Sequence, residues 1–175
     1  MTTLQGGYSR LSIALHWIAA IAVIALFFTH EGERGSAQYA FHVGGGAILG
    51  IIIIWRVLRR PFRGFPAKPD QPAILNLIST IVLWALLAAM LIAVVTGYFL
   101  PWSLGAPIDL FGMAQIPSPI GRFPDLHEAM EEIHEIAGQA ILPLVVLHVL
   151  GALKHAIIDK DGVMQRMGRP AAGGH

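Results

Sequence analysis

The stretch IHEIAGQAILPLVVLHVLGALKH, residues 133–155, decides how the chain folds. From Ile136 to Leu153 it carries no charged side chain. A run of that length is close to the ~20 residues a helix needs to cross the hydrocarbon of a bilayer. Two of the histidines in this stretch, His134 and His148, lie 14 positions apart. At ~100° and 1.5 Å per residue they share one helix face and sit ~21 Å apart along its axis. A histidine inside lipid is costly unless it is paired or functional. Each of these two therefore asks for a partner at its own depth.

Three further apolar blocks lie upstream. Spans are expected at about 11–28, 39–58 and 74–99, with 136–158 as the fourth. Lipid offers no hydrogen-bond partners to the backbone, so helices are the natural form for each span. The sequence thus predicts an all-α, four-helix transmembrane bundle in one membrane domain covering 1–175, with 168–175 as a flexible tail. Composition agrees: 55% of residues are hydrophobic, 13% are charged, and mean hydropathy is +0.63. A soluble domain of this size needs more charge on its surface. No cleavable leader is expected, because the first block is too long for a signal core and runs into Glu31 and Glu33. No internal repeat is evident, and no nucleic-acid partner is expected.

Charge placement sets the orientation. With the N-terminus inside, the inner segments hold Arg10, Arg56, Arg59, Arg60, Arg63, Lys68, Lys154, Lys160, Arg166 and Arg169, and the outer ones only Arg34 and Arg122. This bias predicts a membrane protein with both termini cytoplasmic. The outer side gathers acid: Glu31, Glu33, Asp109, Asp125, Glu128, Glu131, Glu132 and Glu135. The 100–133 loop is expected on the outer surface, with Asp125 to Ile133 as an amphipathic helix entering span four. The 61–72 connection is rich in proline and is expected to be extended.

The other histidines supply the partners. Span one rises from the inside, so His16 sits low. Span two descends from the outside, so His42 sits high. The expected pairs are His42 with His134 outside and His16 with His148 inside. Such histidines also act as polar glue between helices, but four at two matched depths favour a cofactor. Two facing imidazoles make an axial cage for haem iron, and a bis-histidine site has no open position, which suits electron transfer. A structural zinc wants four close ligands. The chain has no cysteine, which excludes disulfides, thiolate chemistry, iron–sulfur clusters and covalent c-type haem. Two haem b groups are therefore expected. Glycines near the histidines (Gly44, Gly45, Gly46, Gly50, Gly138, Gly151) give a macrocycle room, or let helices pack closely. Arg56, Arg59 and Arg60 are candidate partners for haem propionates, and serve equally as inner-side anchors. His127 and His155 lie too far towards the water to match His16 and His42 in depth. His30 and His175 carry no assigned chemistry.

The sequence resembles the bacterial cytochrome b561 family, which includes superoxide oxidase, and more distantly the cytochrome b subunits of nickel–iron hydrogenases. The matching pieces are YSRLSIALHW around His16, FHVGGG around His42, WRVLRRP with Arg56, and the IHE and LHVLGALKH segments of span four. Gly97 and the Phe111–Gly112 pair resemble the family's outer loop. The resemblance covers about Tyr8 to Arg166. It implies a bacterial inner-membrane protein with four helices, two b haems ligated by His16, His42, His134 and His148, and electron exchange with membrane quinone.

Three functions follow. The first is an electron carrier between ubiquinone and a periplasmic redox protein. The second is a superoxide:ubiquinone oxidoreductase that yields dioxygen. The third is an anchor subunit of a dehydrogenase or hydrogenase, with Trp102, Phe111 and Met113 as a contact unless they pack on the chain's own helices. A positive funnel steers an anion such as superoxide. The acidic outer approach, with Arg122 as its nearby cation, suits a basic or neutral partner better.

Overall fold

A computed structural model describes residues 8–59 and 69–169. Four long helices follow one another: α1 (Arg10–Thr29), α2 (Ala37–Arg59), α3 (Ala73–Ser103) and α4 (Pro124–Leu153). Among the described residues these four are long and apolar enough to cross a membrane. Local chemistry sets their ends. The Ser9 hydroxyl accepts from the Ser12 N–H and caps α1. Pro124 opens α4, with Asp125 in its first turn, where a fixed φ and a negative charge both suit a helix N-terminus. α3 runs past the expected end at 99, through Pro101 to Ser103. Gly105, at φ +70°, then turns the chain away. The amphipathic lead-in and the fourth span are one continuous helix.

The loop between α3 and α4 holds a two-stranded antiparallel hairpin, β1 (Ile108–Leu110) and β2 (Ala114–Ile116). Both central turn residues, Phe111 and Gly112, have positive φ. A turn with positive φ at both central positions matches the twist of paired strands, and it is strained for Phe111. The strain is compensated by seating: the Phe111 ring lies against Phe41 and against Gly44, where a methyl group would approach it to 3.0 Å. Trp102 is partly buried against Tyr98 and Phe99, whereas Met113 at the hairpin tip is 81% exposed.

The bundle is apolar outside and has a thin core. Ala19, Leu49 and Ile53 form the buried cluster, with Val23, Leu26, Leu91 and Val94 around it. Large side chains such as Ile21, Phe28 and Trp84 face outwards, as lipid requires. α1 packs on α2, α2 on α3, and α3 most extensively on α4. By contrast, α4 scarcely touches α1 or α2. A seam therefore runs between α4 and the α1–α2 pair.

Beyond α4 the chain makes a π-helical turn (Lys154–Asp159) and a short 3-10 helix, Met164–Met167. Lys160 adopts a left-handed conformation between them. We call the end of the bundle where α1 begins and α4 stops the terminal side, and the hairpin end the loop side. Arg60, Arg63 and Lys68, the prolines at 61 and 66, and most of the expected 168–175 tail lie outside the described residues.

Candidate functional site

The seam is bridged by histidines at two levels. On the loop side, the rings of His42 on α2 and His134 on α4 have centroids 6.1 Å apart and planes crossed at 83°. On the terminal side, His16 on α1 and His148 on α4 stand 6.3 Å apart at 74°. All four rings are half-buried. The two α4 histidines face the same seam because 14 residues bring them nearly into phase over ~21 Å of helix.

The spacing carries chemical information. A metal–imidazole bond of about 2 Å on each side, plus about 1.1 Å from each nitrogen to its ring centre, puts two opposed axial rings roughly 6 Å apart. Both pairs match that distance. The loop-side rings are also held in one tautomer. His42 donates from Nδ1 to the Leu26 carbonyl at 3.0 Å. The Thr96 hydroxyl donates to the Ile92 carbonyl at 2.8 Å, which leaves its oxygen to accept from His134 Nδ1 at 3.1 Å. With Nδ1 occupied, each ring presents Nε2 and its lone pair to the seam. Outer hydrogen bonds of this kind orient metal-bound imidazoles.

Room for a flat group is present. Gly46 lies one turn after His42, Gly138 one turn after His134, and Gly151 three residues after His148. Among the described residues nothing comes within 4 Å of where a side chain on these glycines would begin. Gly97 has a different role: a methyl group there would come within 3.1 Å of His134 Cε1, so the absent side chain lets the ring seat against α3. Two imidazoles per level, opposed across an apolar seam lined by glycine, fit an iron porphyrin. They supply too few donors for a bare structural ion.

The remaining candidates are engaged elsewhere. Arg56 on α2 donates from Nη1 to the Ser12 carbonyl at 3.3 Å, one turn from His16, at the level of the terminal-side pair. His127 donates from Nδ1 to the Leu100 carbonyl at 3.0 Å and touches Ser103 Oγ at the same distance. It ties α4 to the end of α3. His155 is buried, with Nδ1 2.7 Å from Asp161 and 3.1 Å from Asp159. His30 contacts the Phe27 carbonyl and Glu31. Among the described residues, none of the last three is paired with another histidine ring. Sequence reading missed Thr96, the Leu26 carbonyl and the Asp159–Asp161 partners of His155.

Residues 7–170 match the family described as prokaryotic cytochrome b561. Cytochrome b561 homolog 2 of Escherichia coli (strain K12) is 28% identical, over 91% of this chain and 90% of the relative. Cytochrome b562 of Cereibacter sphaeroides is 27% identical, over 96% and 99%. A probable superoxide oxidase of Yersinia pestis is 25% identical, over 91% and 94%.

Proposed function

Because the chain belongs to the prokaryotic cytochrome b561 family, and so is a bacterial membrane cytochrome b, we propose that it carries single electrons between membrane ubiquinone and a partner on the loop side. The observation that carries this reading is the pair of histidine levels, 6.1 and 6.3 Å across, stacked along one seam. In this reading His42 and His134 hold one b haem and His16 and His148 a second. Bound haem supplies reversible one-electron iron chemistry. With both axial positions filled by protein, the residues favour outer-sphere transfer over binding of a substrate to the metal.

The chain's own groups do the rest. Leu26 and Thr96 fix the loop-side rings, Gly46 and Gly138 leave space, and the exposed apolar helix faces keep water out of the seam. Arg56 sets a positive charge beside the terminal-side pair, where a propionate finds a fork-shaped donor. The excess of Lys and Arg on the terminal side supports a cytoplasmic location for that end in the inner membrane.

The relative described as a probable superoxide oxidase favours a second reading, oxidation of superoxide at the loop side with ubiquinone as acceptor. Against it stand Asp125, Glu128, Glu131, Glu132 and Glu135, all exposed on the first turns of α4. They repel an anion. Stopped-flow mixing of the oxidised protein with superoxide separates the two. We expect slow reduction that quickens as salt screens the acidic face. Near-diffusion-limited reduction at low salt would support the oxidase instead.

A further inference from the structure

The chain does not stop where α4 ends. It turns back and crosses from α4 to α1, and it is fastened at both ends of that crossing. At the α4 end, Asp161 accepts from His155 Nδ1 at 2.7 Å through Oδ2 and from the Val163 N–H at 3.0 Å through Oδ1. His155 is itself buried, at 8% exposure, so this clasp is anchored in the bundle rather than on its surface. Lys154 adds a contact to Asp159 and donates to Gln71 Oε1 at 3.4 Å, tying the same turn to the start of α3. At the α1 end, Trp17 donates from Nε1 to the Met167 carbonyl at 3.0 Å. The Trp17 ring also stands edge-on to His16, with centroids 5.7 Å apart.

We propose that residues 160–167 are a strap that closes the terminal end of the seam. It shuts the His16–His148 level off from water and leaves lipid as the side from which the redox partner of that level arrives. α1 and α4 scarcely touch each other, so without the strap the gap between them opens directly onto the aqueous face. The strap spans that gap, and its far anchor, Trp17, adjoins the histidine being covered. A soluble protein cannot approach a level closed in this way. A membrane-dissolved quinone can, through the apolar side. The inference rests on the electron-carrier reading and adds which class of partner serves which level.

The chain has no cysteine, so one introduced thiol reports access directly. Ala152→Cys places it one turn terminal of His148 on the same face of α4, and Glu131→Cys gives an exposed reference. The purified full-length protein is labelled with a charged, membrane-impermeant maleimide. We expect the thiol at 152 to label far more slowly than the reference. Adding Asp161→Ala should speed it roughly tenfold, since charge-assisted hydrogen bonds hold the clasp. Trp17→Phe, which loses only the far anchor, should act in the same direction and leaves the clasp and its burial alone. Fast labelling of the parent, or no acceleration in either variant, overturns the proposal. The readout does not depend on haem. A chain carrying one haem or none defeats the functional reading while leaving the labelling pattern intact.

Discussion

Thr96 Oγ1 lies 3.1 Å from His134 Nδ1, deep in the packed face between α3 and α4, and it is the acceptor that turns the imidazole towards His42. A buried threonine on the helix that carries no paired histidine thus belongs to the loop-side site. Thr96→Val keeps the shape and removes the acceptor. Loss of such an outer partner usually costs ~10–100-fold in metal affinity. We expect haem titration to show that loss at one level only, with the loop-side potential rising because the imidazole becomes a weaker electron donor.

Gly97 offers a steric test of the same seat. In Gly97→Ala the new methyl group meets His134 Cε1 at 3.1 Å, so the ring must give way by a few tenths of an ångström. We expect the loop-side site to empty partly, seen as a fall in haem absorbance, with the terminal-side level unchanged.

Removal of one paired histidine separates the levels. His134→Ala should leave one haem per chain, held by His16 and His148. His127→Ala should leave both, because His127 is bonded to Leu100 and Ser103 at the end of α3. Its cost should appear as a lower melting temperature, through loss of the α3–α4 tie.

Arg56→Gln removes a positive charge at the level of His16. The oxidised form gains relative to the reduced one, so the terminal-side potential should fall by some tens of millivolts, where ~59 mV is a tenfold change for one electron. Arg56→Lys should restore most of it. A redox titration that shifts the loop-side level instead would remove Arg56 from the terminal-side site.

How much of this could be read from the sequence depends on which force acts. The spans were legible because lipid demands long apolar runs, and the pairing of levels because helical rise is regular enough to convert sequence position into depth. Thr96 was not legible: its hydroxyl bonds back to Ile92, as threonine does in any helix, and only the approach of α4 gives its oxygen a second use. The hairpin was hidden by its shortness and by Phe111, a residue with no preference for positive φ. The strap was hidden because its anchors, Trp17 and Met167, lie 150 residues apart. The acidic partners of His155, Asp159 and Asp161, carry no motif that sets them apart from other charges near a helix end.

The clasp should also respond to acid. Burial alone would raise the carboxyl of Asp161. The Val163 N–H and the His155 side chain outweigh it and hold Asp161 below the usual carboxylate range. A depressed carboxylate contributes stability that is present above its ordinary pKa, about 4, and is lost as pH falls through the lowered value. Lys154, His155 and Asp159 share the cluster with Asp161. Hydrogen exchange across residues 161–167 should therefore stay protected from neutral pH down to about 4 and lose protection below it. Asp161→Asn should abolish that acid step.

The most direct test of the whole account is the haem content of the purified protein, counted against chain concentration with a dithionite-reduced minus oxidised spectrum. Two b haems per chain, falling to one in both His16→Ala and His134→Ala, is the result the two-level seam predicts. One haem or none in the unaltered chain, or loss of both from either single substitution, would contradict it.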